Sequence, residues 1–426
     1  MVANGVVANG PASQAGARTR AMTELLALSG RALPLLEQWA AGEPDCGVAR
    51  ALLMLATGDR LGDAELKERL VRAHRDAQAA GERQTSLVHG VFLHTHRHYQ
   101  LTADHLVAHF ARWPADEQAG LMLSAFQACE DPAYRAYGDA LVEEQAASAG
   151  PDSWPWTSWL AATRAEQGRA RDAHRLAERA LALHPRSGVA AHALAHAEHE
   201  LGAGPACVAF LDEWLAADPA AVQSRHLNWH AALQSIACGD FPEARRRADA
   251  ALTRGDVGMR AATNWRLLLA GQTPAGRDDP DHVRQLLADP GGTAEIFHTF
   301  NLALALAVEA ATEDLYALAH RAAADRRPTF RDVLAPVVRA LAEITAGRPR
   351  VAADLLTTLG DRARQVGGVR VEREIIQDTL ARALADAGEG VRAARLLHHR
   401  TTTRRHHTYE DLLLTRTQSV VAAGLR

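Results

Sequence analysis

Residues 159–185 read WLAATRAEQGRARDAHRLAERALALHP, and residues 192–219 read HALAHAEHELGAGPACVAFLDEWLAADP. In both stretches apolar residues recur at helical spacing on either side of a glycine, and a proline closes the unit. The interval from Gly168 to Gly202 equals the interval between the two closing prolines, Pro185 and Pro219. Such a period predicts a pair of helices in each repeat, with the glycine in the turn between them.

Weaker copies of this unit continue along the chain. Gly239 follows Gly202 at a slightly longer interval, and Gly347 and Gly388 mark later copies that are longer still. Runs that alternate apolar and polar residues, the mark of strands, are nearly absent. A period of about 34 residues is typical of tetratricopeptide repeats, whose hairpins stack to bury a shared core. The sequence therefore predicts an all-α, tetratricopeptide-like α-solenoid, a superhelix of antiparallel helical hairpins.

The chain is predicted to hold one domain behind a short leader. Residues 1–20 carry Gly, Pro and Ser and lack the apolar core of a signal peptide, so a disordered N-terminal leader is expected there. Residues 21–426 are expected to form a single tetratricopeptide-like α-solenoid. A minor boundary could fall at residues 271–280, which read GQTPAGRDDP and are rich in helix breakers.

Composition narrows the classes of function. Hydrophobic residues make up 47% of the 426 residues and aromatic residues only 5%, and Ala and Leu supply most of the apolar content, which favours helix. The 47 basic and 51 acidic residues give a net charge of −4, so nucleic acid is not an expected partner. No apolar run reaches the roughly 20 residues that cross a bilayer, so no membrane association is expected.

The cysteines indicate the cellular compartment, and the absence of several sequence motifs excludes common classes of enzyme. The four cysteines are widely spaced, which fits buried thiols in a reducing compartment, and a cytoplasmic protein is expected. Lys67 is the only lysine, and the use of Arg and Ala indicates a GC-rich genome of the actinobacterial kind. Motifs for nucleotide hydrolysis, dinucleotide binding, zinc proteolysis and serine hydrolysis are absent from the sequence. No cofactor is therefore expected.

The chain has 21 histidines, and the clearest five occupy two neighbouring repeats. His192, His196 and His199 stand at positions i, i+4 and i+7, which form one stripe along a helix. His226 and His230 form a second i, i+4 pair about one repeat later. Both sets precede the glycine of their repeat, so both lie on first helices, which line the concave face of such an array. We expect four or five imidazoles to converge there.

Three chemical explanations of these histidines are open at this point. An i, i+4 pair can place two nitrogens on one metal ion, with Glu198 or Glu200 as an oxygen ligand. Histidines in a partly dry groove can instead move protons to and from a substrate, with Arg266 and Glu198 as charge-stabilising partners. They can also hydrogen-bond one another within packed helices. No metal is predicted, and the predicted acid–base residues are His192, His196, His226 and His230.

Six of the eight tryptophans fall between residues 151 and 267, beside these histidines. Tryptophans at such spacings usually pack between hairpins, and the alternative is an aromatic floor for an apolar ligand. The predicted ligand-binding residues are Trp229, Trp265, Arg266, His199 and Glu198.

Two other stretches are rich in histidine or arginine. Residues 87–110 contain the i, i+4 pair His105 and His109, and most histidines of this stretch are expected at interfaces or in solvent. Residues 396–411 read LLHHRTTTRRHHTYED and form a short basic patch that includes Arg400 and Arg404. This patch is expected to be solvated.

Four stretches of the central sequence carry a family resemblance. They read SGVAAHALAHAEHELG, FLDEWLAADP, RHLNWHAAL and NWRLLLAGQ. Together they resemble the tetratricopeptide repeat protein 38 family of bacteria and animals, which shows an H-A-x-A-H-V helix, a tryptophan before an H-x-x-W-H helix, and a later L-W-R-L segment. The matching positions here are His192 and His196, His226 to His230, and Trp265 to Leu267. The resemblance implies a bacterial tetratricopeptide solenoid and implies no particular reaction.

One further signature of that family is altered. The family motif F-x-D-x-H corresponds to Phe297-His-Thr-Phe-Asn301 in this chain, which lacks both the acid and the histidine. The resemblance therefore bears on the fold more than on chemistry.

Two functions follow as hypotheses. In the first, a His/Trp-lined concave groove binds a small molecule or a peptide end and acts on it by histidine acid–base chemistry, as in specialised metabolism. In the second, the chain is a non-catalytic scaffold for protein partners, the usual function of such arrays. A homodimer would cover the end helices of the solenoid.

Overall fold

The computed structural model of the chain describes residues 11–129, 131–252, 257–276, 279–289, 293 and 295–415. Over these residues every regular element is a helix. Many consecutive helices pack against each other as hairpins, which confirms the predicted all-α, tetratricopeptide-like fold. None of these helices is both long enough and apolar enough to cross a membrane.

The α-helices follow one another through short turns. The first twelve are α1 (Pro11–Leu26), α2 (Ala32–Gly42), α3 (Gly47–Thr57), α4 (Asp63–Ala80), α5 (Glu82–Thr95), α6 (Tyr99–Arg112), α7 (Glu117–Gly120), α8 (Ser124–Ala128), α9 (Pro132–Ala149), α10 (Trp154–Glu166), α11 (Ala170–Leu183) and α12 (Gly188–Leu201). The next twelve are α13 (Pro205–Ala217), α14 (Ser224–Cys238), α15 (Phe241–Ala251), α16 (Val257–Leu269), α17 (Pro280–Ala288), α18 (Ile296–Val308), α19 (Thr312–Ala323), α20 (Ala335–Thr345), α21 (Pro349–Leu359), α22 (Arg370–Asp386), α23 (Gly390–Thr403) and α24 (Thr408–Leu414). A π-helical turn at Phe330–Leu334 precedes α20, and 3₁₀ segments lie at Gly58–Arg60 and Gly360–Val366.

The periodic glycines lie where the sequence places them, in the turns that end first helices. Gly202 follows α12 and Gly239 follows α14, with φ angles of 68° and 82°. This left-handed region is open to glycine at no steric cost. Gly202 is also in close contact with the chain near Arg405, because a Cβ built on it would lie 2.6 Å from the Arg405 nitrogen.

Residue contacts divide the chain into two compact units. The first unit comprises Met1–Thr163, Arg175–Ala193 and Ala217–Gln223. The second unit comprises Arg164–His174, Leu194–Ala216 and Ser224–Arg426. The domain boundaries expected from the sequence stay a prediction.

The first unit contains helices α1 to α9, and consecutive helices from α1 to α6 pack against each other. Helix α1 begins at Pro11, so residues 11–20 of the expected disordered leader are helical, and residues 1–10 lie outside the described residues. Two contacts explain the difference: the guanidinium of Arg18 pairs with Glu43 at 2.6 Å and lies 5.6 Å from the centre of the Trp39 ring. Both give α1 a tertiary partner that composition does not reveal.

In the second unit the C-terminal helices return to the earlier ones. Helix α24 packs on α14 and α22, and α22 packs on α16. The Trp265 indole on α16 donates a hydrogen bond to the Thr379 hydroxyl on α22 at 2.9 Å. These contacts fix α14 and α16, which carry the predicted site residues, against a common C-terminal support.

A buried ion network holds that support together. Arg400 donates to Asp378 and pairs with Glu374, both at 2.6 Å. Arg404 binds Glu374 at 2.6 Å and Glu410 at 2.7 Å. These five charged side chains come from α22, α24 and the chain at the end of α23, so the network ties the three together. Burial alone would raise the pKa of the Glu374 carboxyl, but Arg400 and Arg404 hold it well below its usual value.

The basic patch of residues 396–411 is therefore not the solvated surface that the sequence suggests. Arg400 and Arg404 are 5% and 6% exposed, whereas Arg405 keeps most of its side chain in solvent. Their acidic partners Glu374 and Asp378 lie more than twenty residues away in the chain, and no local pattern could indicate them.

Replacing Arg400 with leucine is expected to lower the free energy of unfolding by about 3–5 kcal/mol, because the buried carboxylates of Asp378 and Glu374 would each lose one of their two arginine partners. Arg392 on the same helix pairs with Glu389 in solvent, so Arg392→Leu should change stability by less than about 0.5 kcal/mol. Urea unfolding followed by circular dichroism measures both. Equal losses in the two variants would contradict this role for the network.

Candidate functional site

The predicted histidines lie on α12 and α14, and three of them meet within the second unit. One ring nitrogen from each of His196, His226 and His230 lies within 4.8 Å of the other two. The ring centres of His196 and His230 are 4.6 Å apart, and those of His226 and His230 are 4.8 Å apart. We call these three side chains the histidine cluster. His192 stands one turn before His196 on the continuous helix α12, at the spacing that the sequence predicts.

Close packing of two helix ends positions the cluster. The amide of Gly204, just after α12, donates to the Gln234 side chain on α14 at 3.1 Å. The amides of Arg405 and His406 donate to the carbonyls of Leu201 and Gly202. The C-terminal end of α12 is thus bonded both to α14 and to the chain that follows α23.

Two histidines of the cluster are deep enough to be neutral at physiological pH. Burial lowers the pKa of His226 to about 4, and burial together with the neighbouring imidazoles of His226 and His199 lowers the pKa of His196 to about 3. These low pKa values disfavour proton transfer by His196 and His226 at neutral pH, which was one of the explanations open from the sequence. As neutral rings they supply lone pairs and N–H donors, and they carry no proton to donate as an acid.

Trp229 packs against the cluster. Its ring centre lies 5.3 Å from that of His226 and 5.0 Å from that of His230, and the Arg266 guanidinium lies 6.0 Å from its centre. The indole is 2% exposed. Within the part of the chain that the structure describes, its Nε1 has no hydrogen-bond partner. A buried donor of this kind is costly unless something binds it.

The other predicted ligand-binding residues have partners of their own. Glu198 pairs with His174 at 2.6 Å, and His199 bonds to Glu374 of the ion network at 2.7 Å. Arg266 is buried, donates to the Val371 carbonyl at 3.0 Å and faces Asp378. Trp265, bonded to Thr379, is likewise buried. The structure places all four in packed contacts that support α12, α16 and α22.

A pocket lies among the helices of the second unit, next to Trp229. It encloses about 460 Å³. Its lining comes from α14, α16, α17, α18 and α22 and is mainly apolar: Trp229, Met259, Ala262, Phe297, Leu304 and Ile375. A few polar groups join it, namely His282, His298, Asn301 and Glu372. His282 and His298 are exposed, so they mark its solvent side.

Glu372 is the acid of this pocket. Its carboxylate accepts the Val369 amide at 2.7 Å as the N-terminal cap of α22. Burial raises its pKa to about 7, although the Val369 amide and the nearby Arg373 and Arg266 oppose the shift. The charge of Glu166 also raises it. Near neutral pH the carboxyl is therefore divided between its acid and its ionised form.

Sequence reasoning found Trp229 but not the rest of the pocket. Glu372 is more than a hundred residues from Trp229 and Met259, and the apolar lining residues have the spacing of ordinary core positions. Only Phe297 and Asn301 carry a sequence signal, as part of an altered family signature. Helical periodicity cannot distinguish a wall that faces a cavity from one that faces a neighbouring side chain.

In the first unit, the side chains of a serine, a histidine and an aspartate are linked by hydrogen bonds. Sequence reasoning did not predict this arrangement. The Ser86 hydroxyl lies 2.9 Å from His109 Nδ1, and His109 Nε2 lies 3.0 Å from Asp116 Oδ2. Arg83 holds the same aspartate at 2.7 Å. The serine lies inside helix α5, where backbone N–H groups bond within the helix and offer no oxyanion site. This arrangement therefore acts as a buried polar contact between α5, α6 and the start of α7.

Comparison with known proteins assigns no family to this chain. No protein-family profile and no curated protein matches the chain. The crystal structure of yeast Tom70 is similar with a TM-score of 0.36 and 12% identity, over 98% of this chain and 90% of that one. A structure of Naa15/Naa10 bound to HypK-THB is similar with a TM-score of 0.19 and 13% identity, over 91% of this chain and 68% of that one. Since these values assign no family, the resemblance to the tetratricopeptide repeat protein 38 family stays a prediction.

Proposed function

We propose that this protein binds a small, largely apolar ligand in the second-unit pocket, with the Trp229 indole as an aromatic wall. The observation that carries the proposal is a cavity of about 460 Å³ beside a buried indole N–H that has no partner among the described residues. Ligand sites are typically cavities of about 300–1,000 Å³ with apolar walls and a few polar groups. This pocket has that size and composition.

The polar groups suggest what the ligand carries. Trp229 Nε1 can donate one hydrogen bond, and the Asn301 amide can donate and accept. Glu372 can donate when it is protonated and accept when it is ionised. A rigid aromatic or alicyclic molecule with one hydroxyl or carbonyl group satisfies this set, whereas a polyanion such as a nucleotide would meet no cationic side chain in the lining.

Binding, rather than acid–base catalysis, is the function that the geometry supports. His196 and His226, expected from the sequence to move protons, have pKa values of about 3 and 4 because they are buried. A base whose conjugate acid is that strong holds almost no proton at neutral pH, so it transfers protons poorly there. The expected place in specialised metabolism stays a prediction.

A protein-interaction scaffold is the alternative, since the helical-repeat fold suits that function. The two functions differ in where an occupant contacts the chain. A small molecule fits inside the pocket, whereas an extended peptide needs a longer groove and would be insensitive to side chains at the bottom of the pocket.

Filling the pocket tests the proposal directly. Ala262→Leu adds a branched side chain to the wall of α16 and should abolish binding of 2-naphthol, a suitable aromatic probe, as seen by ligand-observed NMR. Ala250→Leu makes the same change on the exposed face of α15 and should leave the signal unchanged. If the probe binds both variants equally, or does not bind the unaltered chain, the proposed pocket function is wrong.

The indole donor has its own test. Trp229→Phe keeps an aromatic wall and removes the N–H, so affinity for 2-naphthol should fall by about 3- to 10-fold, the usual value of one hydrogen bond. Affinity for naphthalene, which lacks a hydroxyl oxygen, should stay the same. A parallel loss for both probes would show that the ring shape, and not the donor, matters.

Glu372 predicts a pH dependence of stability. Its pKa is about 7 in the folded chain and near 4.5 when unfolded, so the folded state holds the extra proton between these values. The stabilising contribution is complete below pH 4.5 and is lost as the pH rises through 7. Glu372→Gln keeps the cap on α22 and removes the titration. The variant should therefore gain melting temperature relative to the unaltered chain from about pH 5 to pH 8, and a constant difference would contradict the raised pKa.

A further inference from the structure

The histidine cluster has nearly the dimensions of a transition-metal site. The Nε2 atoms of His226 and His230 are 3.1 Å apart. Two nitrogens bound to one tetrahedral zinc ion at about 2.0–2.1 Å lie about 3.3–3.4 Å from each other. The spacing of this pair already matches that value within a few tenths of an ångström.

The third imidazole completes a ligand set. A ring nitrogen of His196 lies within 4.8 Å of those of His226 and His230. To reach a spacing of about 3.4 Å, these side chains need to move by no more than about 1.5 Å, which small χ rotations provide. Three imidazoles plus one open position is a ligand set of known metal sites.

We propose that His196, His226 and His230 bind one divalent transition-metal ion, with zinc as the probe ion. The fourth position is left for water. This site is separate from the proposed ligand pocket, although Trp229 contacts both.

The imidazole ligands favour transition-metal ions over Mg²⁺ and Ca²⁺. The group consists of imidazole nitrogens alone. Imidazole suits Zn²⁺, Cu²⁺, Ni²⁺ and Co²⁺, whereas Mg²⁺ and Ca²⁺ prefer carboxylate and carbonyl oxygens. Glu198, the oxygen ligand considered from the sequence, is paired with His174 instead. The site should therefore ignore Mg²⁺ and Ca²⁺ even in large excess.

The surroundings favour a defined site over adventitious binding. His196 is 7% exposed and His230 is 1% exposed, and both lie on helices that tertiary contacts hold in place. His226 is half-buried, so an ion can reach the cluster from solvent. Preorganised ligands lose little side-chain freedom on binding, and affinity rises accordingly.

The experiment uses the full chain stripped with a chelator and then dialysed against zinc sulfate, with bound zinc measured by elemental analysis. We expect one zinc ion per chain, and a raised melting temperature that Mg²⁺ does not reproduce. Replacing zinc with cobalt should give the intense visible absorption of a tetrahedral nitrogen site. A folded chain that binds no zinc under these conditions would overturn the proposal.

Two glutamine variants assign the ligands. His226→Gln and His230→Gln keep a side chain able to form hydrogen bonds, so circular dichroism should show folded protein. Each should weaken zinc binding by at least the roughly 10- to 100-fold that loss of an outer-shell partner costs. The matched control replaces the exposed pair His398 and His399 on α23 with glutamine and should bind zinc normally.

Two results would show that the ion is adventitious and overturn the assignment: zinc retained by both cluster variants, or zinc lost with the α23 pair. The 2-naphthol measurement on the same variants keeps the two proposals apart. Zinc binding without naphthol binding would leave the metal site standing and remove the pocket, and the reverse result would do the opposite.

Discussion

The second unit depends on two arginines that are buried with their carboxylates. Arg400 and Arg404 are almost inaccessible to water, and each would be expensive to bury alone. Glu374 contacts both guanidinium groups, while Asp378 binds Arg400 and Glu410 binds Arg404. A network of this kind contributes little net energy when compared with a well-packed apolar core. The network nevertheless fixes the positions of α22 and of the chain after α23, because a shift of either one would leave a buried charge unpaired.

This constraint extends to both candidate sites. Helix α22 carries Asp378 on one turn and Glu372 and Ile375 of the pocket on the preceding turns, so fixing the network also fixes one pocket wall. Helix α16 is held to α22 by Trp265 and Arg266, and the same helix supplies Met259 and Ala262 to the pocket. His199, bonded to Glu374, anchors α12 one turn beyond His196. The residues expected to bind ligand are thus largely those that hold the walls in position.

The fold was predictable from sequence because its signals are local. Glycines that recur once in each repeat need left-handed turns, and the turns at Gly202 and Gly239 have them. The meeting of His196 with His226 and His230 was also predictable, since equivalent helices of neighbouring repeats pack side by side. The ion network and the pocket were not, because Arg400 and Glu374, or Trp229 and Glu372, are brought together only by tertiary packing. The low pKa values of His196 and His226 likewise depend on burial depth, which periodicity does not give.

Burial around Trp229 lowers the pKa of basic side chains and raises the pKa of acidic ones. It lowers the pKa of His196 and His226 and raises that of Glu372, because in each case burial penalises the charged form. Near neutral pH the two histidines are therefore uncharged, and the glutamate is partly so. Full charges in this unit's interior persist where an opposite charge is within hydrogen-bonding distance, as at Arg400 and Arg404. Apart from Arg266, which faces Asp378, the region next to Trp229 is consequently polar with little charge, which favours neutral ligands in the pocket.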